Sequence, residues 1–331
     1  MLRLPKFQVA LPESVADAVA LLSAHEGEAM IVAGGTDLLP NLKHRLFEPK
    51  LLVSLERVAG LGAIQREADG TLRIGAMARL DQLAAHADVI AHAPALAQAA
   101  GVVSGPQLRR MGTAGGNVML DTRCRYYNQT YFWRKSLGFC LKKDGTVCHV
   151  VAGGRKCVAA ASNDTAPALM TLGARLIFEG MSGRRELLVD DLWKSDGVWN
   201  KHAAPSELLT EIRIPPQAAG HRGAYGKLRN RAAIDFPELG VATRVDVERG
   251  SVRDADVVIV ALAARPVRVK GAADTLRGAK PGERSFTEAT ARLAEHAFKQ
   301  CHPMPNVPGD EDYRREMVPV FVRRTLKAAV S

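Results

Sequence analysis

Four of the five cysteines, Cys124, Cys140, Cys148 and Cys157, fall within one short stretch, while Cys301 stands alone. Thiolates bind zinc and iron–sulfur clusters, and in a reducing compartment such a grouping reads as metal binding before it reads as disulfides. The spacing, C-x15-C-x7-C-x8-C, lacks the C-x2-C knuckles of most structural zinc sites and of ferredoxin-type runs. Pattern alone therefore leaves zinc, a cluster or free thiols open. Residues 122–160 also carry eight Lys or Arg, one acid and six aromatics. Arg123, Arg125, Lys142, Lys143, Arg155 and Lys156 could offset the negative charge of a thiolate-held cluster. The same mixture, with Tyr126, Tyr127, Tyr131, Phe132 and Trp133 as stacking platforms, also suits single-stranded nucleic acid. A basic nucleic-acid-binding protein with a structural zinc is thus the competing reading from a different class.

Two glycine pairs could do a second kind of chemistry: Ala33-Gly34-Gly35-Thr36-Asp37 and Thr113-Ala114-Gly115-Gly116-Asn117. Phosphate oxygens need close N–H donors, and a Cβ would obstruct them. Neither pair is the G-x-G-x-x-G of a Rossmann site. Each taken singly reads as a turn, whereas the two together, flanked by hydroxyl and amide side chains, point to a nucleotide.

Elements must hold these residues. Ser14 to His25 has helical apolar spacing, Ala29 to Ala33 reads as a buried strand ending at the first glycine pair, Leu38 to Leu46 as a helix and Leu51 to Leu55 as a strand. This is a β-turn-α-β unit with its glycines at the strand-to-helix junction. Further on, strands are expected at 71–74, 174–178 and 208–214, and helices at 79–86, 94–100 and 165–172. Pro215-Pro216 and the glycines at 220 and 223 mark a boundary near 217. The last third reads as an α+β unit, with strands at 224–228, 240–247 and 257–262, helices at 287–299 and 312–327, and a rigid proline-rich loop at 301–310. At 331 residues, two or three packed subdomains are expected. The formal charge of +10 permits an acidic partner without naming one. No run reaches the roughly 18 apolar residues of a membrane span, and no secretory leader is evident, so a cytoplasmic location with no membrane partner is expected.

AGGTDLLP at 33–40, TAGGN at 113–117 and SNDTAPAL at 162–169 resemble the FAD-binding subunits of the xanthine oxidase and carbon monoxide dehydrogenase family, over nearly the whole chain. The resemblance implies an α+β fold: a two-subdomain FAD-binding domain of the PCMH/VAO-like type over residues 1–217, divided at about 56, and a C-terminal flavoprotein domain over 218–331. It implies that Ala33, Gly34, Gly35, Thr36, Asp37 and Leu38, with Thr113, Gly115, Gly116 and Asn117, hold the FAD diphosphate. Asp164 would bind toward the ribose and adenosine half, and Lys227, in a Tyr-Gly-Lys motif with Arg229 and Arg231, would lie near the flavin. The implied partners are a molybdopterin-binding large subunit and a [2Fe-2S] small subunit, in a heterohexamer and without nucleic acid.

One departure stands out, since Asn117 and Asp164 are 47 positions apart, where ordinary members have a short connection. The segment at about 121–160 resembles the insertion of the β subunits of 4-hydroxybenzoyl-CoA reductases, through DTRCRYYNQ at 121–129, GFCLK at 138–142, VCHV at 147–150 and RKC at 155–157. That resemblance implies a [4Fe-4S] cluster on Cys124, Cys140, Cys148 and Cys157. It also implies an oxidoreductase subunit whose complex removes the phenolic hydroxyl of an aryl-CoA with electrons from ferredoxin or another acidic carrier. The same role in an aldehyde or aromatic-heterocycle oxidoreductase is the alternative, with no catalytic residue on this chain in either case.

Overall fold

The computed structural model describes residues 2–331 and builds three packed units. The first contains β1 (Gln8–Ala10), α1 (Val15–Ala24), β2 (Ala29–Val32), α2 (Leu38–Lys43) and β3 (Leu51–Ser54). Its strands form a parallel sheet in the order β1-β3-β2, as a β-α-β crossover requires. Ser14 caps α1 by accepting from the Asp17 amide. Ala18, Val19 and Leu22 of that helix then bury against Leu51, Val53 and Leu55.

The second unit begins with β4 (Ile64–Arg66), β5 (Leu72–Gly75) and the helices α3 (Leu80–Ala85), α4 (Ala87–His92), α5 (Pro94–Gly101), α6 (Pro106–Arg109) and α7 (Ala114–Val118). Within the cysteine-bearing segment lies only α8 (Tyr131–Ser136), and then come α9 (Thr165–Thr171), β6 (Arg175–Gly180), β7 (Gly183–Leu188) and β8 (Leu208–Ile214). The sheet is antiparallel in the order β4-β5-β8-β6-β7, and α5 and α9 lie in its core with Leu176, Phe178 and Ile212.

The third unit is the meander β9 (His221–Leu228), β10 (Leu239–Glu248), β11 (Ser251–Val260) and β12 (Val267–Arg268), backed by α10 (Ala272–Leu276), α11 (Arg284–Gln300) and α12 (Glu311–Val330). Its sheet is covered on both faces. Val241, Val257 and Ile259 pack with α11 and α12, whereas Ala242 and Val258, the alternate positions, join the core of the second unit. That double burial explains the unbroken apolar run near 257–262 and welds the third unit to the second.

Arg314, fully buried on α12, donates to the carbonyls of Glu238 (3.0 Å), Met304 (2.9 Å) and Ala261 (2.6 Å), tying helix, sheet and the 301–310 loop together. Cys301 is buried in the core of the third unit, and burial pushes its thiol up to about 12.

Two expected elements shift markedly. The helix after the first glycine pair stops at Lys43 instead of Leu46, because Arg45 turns left-handed at φ 55°. β11 starts at Ser251 and ends at Val260, against the expected 257–262. Strands β1, β4 and β7 were not expected at all.

Candidate functional site

The two glycine loops touch through their backbones. A Cβ at Gly34 would lie 1.8 Å from the Met111 carbonyl oxygen, so only glycine lets the first loop abut the approach to the second. Gly35 has φ 69°, which again favours glycine. Between Val32 and α2, the amides of Gly34, Gly35, Thr36 and Asp37 donate to no atom of the chain among the described residues, while Ala33 to Leu38 stay half-buried. A half-buried row of unspent donors fits a diphosphate.

The second loop is built differently. Thr113 caps α7, its hydroxyl accepting from the Gly116 amide at 3.1 Å. The Ala114 and Gly115 amides donate to the Ala78 and Ala76 carbonyls, both at 2.8 Å, and Asn117 donates to the Thr113 carbonyl. All four amides from 114 to 117 are thus spent within the chain. Gly115 is required for packing, since a Cβ there would lie 2.7 Å from that of Ala76, and only Gly116 is exposed. The Asn117 side chain is turned inward. Its Oδ1 accepts from the Thr165 hydroxyl (2.6 Å) and amide (3.1 Å), while Asn163 donates to the Asn117 and Val118 carbonyls. The second glycine loop and the Asn163–Thr165 stretch are therefore one hydrogen-bonded piece, despite the long insertion between them.

Asp164 is buried, and both of its carboxylate oxygens face the third unit: Oδ1 accepts from the Tyr225 hydroxyl at 2.8 Å and Oδ2 from Lys227 Nζ at 2.9 Å. Lys227 and Arg229 also donate to the Val102 carbonyl at the end of α5. Burial raises the Asp164 pKa against the pull of Lys227, and burial lowers that of Lys227. Removing one partner strands the other charge. The Lys227→Met chain is expected to lose about 3–5 kcal/mol of unfolding free energy, read by denaturant titration.

The cysteines line one small cavity together with Tyr126, Tyr127, Lys142 and His149. Cys140 and Cys157 are buried and the other two are half-buried. Burial pushes Cys124 and Cys157 up to about 11. Among the described residues, no group of three or more His, Cys, Asp or Glu is gathered closely enough to hold a single metal ion. The walls are specific. Gly145 passes so close to Cys140 that a Cβ would lie 2.8 Å from its amide nitrogen. On the far side, the Cys157 amide donates to Asp196, and the Gly197 amide donates to the Cys157 carbonyl.

Lys142, 3% exposed, lies beside the cavity and donates to Asp121 (2.8 Å), Thr122 Oγ1 (2.8 Å) and the Gly197 carbonyl (2.6 Å). Lys201, fully buried, donates to the Leu120 carbonyl (2.8 Å) and Asn200 (2.7 Å) with the rings of Trp193 and Trp199 beside it. Neither Lys201 nor the Asp196-Gly197 turn stood out in the sequence, because both lie far along the chain from the cysteines.

Burial pulls Lys201 down to about 7 from the ordinary 10.5. The unfolded chain therefore binds this proton more tightly, and the contribution to stability rises with pH between those two values. Midway between those two values, wild-type stability is expected to gain about 1.4 kcal/mol per pH unit from this group. Denaturation curves at stepped pH should show that slope flattened in the Lys201→Met chain.

A cavity of about 690 Å³ lies elsewhere, between α1 and the sheet of the second unit, lined by Val15, Val19, Leu61, Arg73 and Thr210. None of its lining residues belongs to a glycine loop.

A glycine loop on a β-α-β unit abutting the approach to a second on an antiparallel subdomain, with a separate α+β unit packed against the latter, is the architecture of a nucleotide-binding subunit. Residues 5–217 match the FAD binding domain in molybdopterin dehydrogenase, and residues 223–329 match the CO dehydrogenase flavoprotein C-terminal domain. The chain belongs to this family of FAD-binding subunits of molybdopterin dehydrogenases; it binds FAD and is an oxidoreductase subunit. It is 29% identical to the carbon monoxide dehydrogenase medium chain of Hydrogenophaga pseudoflava over 98% of this chain and 97% of that one. With the aldehyde oxidoreductase FAD-binding subunit of Escherichia coli K12 it shares 31% identity over 82% of this chain and 86% of the other. A solved carbon monoxide dehydrogenase from Hydrogenophaga pseudoflava superposes with a TM-score of 0.80 at 28% identity, covering 99% of this chain and 98% of that one. Among the described residues, no helix is long and apolar enough to cross a membrane.

Proposed function

We propose that this chain is the FAD and [4Fe-4S] electron-transfer subunit of a molybdenum hydroxylase-family complex of the 4-hydroxybenzoyl-CoA reductase type. The observation that carries the reading is the convergence of Cys124, Cys140, Cys148 and Cys157 on one cavity inside a flavin-binding subunit. A tetrahedral zinc at about 2.3 Å from each sulfur needs a tight ligand group. The polynuclear reading instead follows the insertion's resemblance and the four cysteines that line the one cavity. Lys142, which lines the cavity, suits a centre of net negative charge.

FAD would be held by the amides of Gly34 to Asp37, with Gly116 exposed for close approach and Lys227 placed by Asp164 near the domain junction. Bound there, FAD supplies exchange between one-electron and two-electron chemistry. The cluster would supply a second one-electron site. The partners proposed are a molybdopterin large subunit and a [2Fe-2S] small subunit, with substrate chemistry on the former. Substrate class follows the insertion's resemblance. The relatives that act on aldehydes or nicotine support the same role in a hydroxylase as the second reading. Anaerobic quantitation of iron and flavin, with EPR after dithionite reduction, tests the cofactor reading: about four irons and one FAD per chain are expected, and an iron-free yellow protein would sink it.

An acidic low-potential carrier such as ferredoxin is the proposed external partner. Phe132, Trp133, Leu137 and Val147 are exposed within the cysteine-bearing segment, which is rich in Lys and Arg. Donor-driven flavin reduction is expected to slow on the order of tenfold as ionic strength rises from about 0.01 to 0.15 M, because screening removes steering. Stopped-flow rates flat in salt would remove the docking face.

A further inference from the structure

The insertion grips the helix that follows the first glycine loop at both of its ends. At the head of α2, Arg123 pairs with Asp37, and its guanidinium lies 4.0 Å over the ring of Phe236. At the tail, Arg134, 1% exposed, donates Nη2 to the Arg45 carbonyl at 2.9 Å and the His44 carbonyl at 3.4 Å, and its Nη1 faces Asp144 at 3.4 Å. Carbonyls at a helix tail have no partner within the helix, so these bonds are ones that α2 cannot make for itself. A buried guanidinium is tolerated only while its hydrogen bonds stay in place. Arg134 therefore holds its position only if the insertion stays wrapped around it. Both arginines are tied to the cysteines by sequence: Arg123 precedes Cys124, and Phe139, whose ring lies 5.7 Å from the Arg134 guanidinium, precedes Cys140.

We infer that the cysteine insertion positions the FAD diphosphate loop, with Arg123 and Arg134 clamping α2 so that occupancy of the cysteine site and FAD affinity are coupled. The coupling to the metal rests on the proposed cluster; the arginine clamp does not. Such a coupling is reciprocal, so bound FAD must also favour metal retention by the same factor.

The test uses the full-length chain and FAD dissociation constants from flavin fluorescence. Five samples are compared: wild type, wild type stripped of iron by a chelator, the Arg134→Met chain in both states, and the Arg134→Lys chain, with circular dichroism confirming the fold. Iron removal is expected to weaken FAD binding about tenfold, within the usual range of inter-site coupling. Arg134→Met should weaken it by a similar factor, Arg134→Lys should recover part of that loss, and stripping iron from Arg134→Met should add little. Unchanged FAD affinity after iron removal from a chain that held iron would overturn the coupling, as would two losses that simply multiply. The stripped wild type needs no substitution, so a misfolded variant does not end the test. A wild-type chain without iron defeats the cluster reading, whereas unchanged FAD affinity in a folded Arg134→Met chain defeats the clamp by itself.

Discussion

The Cys124→Ser chain is expected to fold, to take up FAD supplied in excess, and to lose its iron, falling from about four atoms per chain to none. The reduced-cluster EPR signal and donor-driven flavin reduction should disappear with it. Cys124 is a clean place for this substitution because its structural bonds run through its backbone. Its amide donates to Asn128 Oδ1 at 3.0 Å, and its carbonyl accepts from the Tyr127 and Asn128 amides. Serine preserves all three. What it removes is the one thiolate-capable atom at that corner of the cavity, and a hydroxyl is a poor substitute ligand for iron. Iron retained at the wild-type level would show that Cys124 is not a ligand. A chain that lost both iron and fold would say instead that metal binding is folding energy for the whole insertion.

Much of the scaffold was legible because burial and period agree locally. The strand at 208–214 is apolar at alternate positions and appears over those same residues as β8. Ser14 and the apolar positions after it marked α1. β11 was read short because Arg253, Asp254 and Asp256 look like loop residues. In the folded sheet they are answered from neighbouring strands, Arg244 pairing with Asp254 and Arg268 with Asp256. β7, GRRELL, hid for a similar reason: it is an exposed edge strand whose charges meet cross-strand partners, Arg175 with Glu186 among them.

At the site, residue types were informative and roles were not. Motif spacing drew attention to Asn117 and Asp164, yet their side chains are engaged by Thr165 and by Tyr225 with Lys227. The latter partners lie some 60 positions away, where no local pattern reaches. Buried basic groups are the least visible of all. Lys142 stands in the sequence only as one of several cations near the cysteines, and nothing in the sequence singles out Arg134 or Lys201; only the fold shows each of them enclosed by carbonyls, hydroxyls and rings.

The Gly34→Ala chain is expected to lose FAD binding and to unfold more easily, by about 1–3 kcal/mol or more. The reason is geometric. The added Cβ would lie 1.8 Å from the Met111 carbonyl oxygen, 2.5 Å from its carbon and 3.0 Å from the Gly112 nitrogen. All three are backbone atoms, so no rotamer change relieves the clash. The loops must part, and the unspent amides of Gly34 to Asp37 move away from the second loop as they do. Gly62→Ala is the control: a Cβ there meets nothing within 4 Å, and its effect should stay within about 0.5 kcal/mol. Gly116→Ala is the milder case, because its new Cβ would meet only the Thr113 hydroxyl, at 2.9 Å, which must shift and loosen the α7 cap. Weaker FAD binding is expected there with a stability loss of about 1 kcal/mol from the loosened cap, as a Cβ obstructs the diphosphate without parting the loops. Flavin retention on gel filtration and thermal unfolding read all three chains. If Gly34→Ala kept its flavin and its melting temperature, contact between the two loops would not be what forms the nucleotide site.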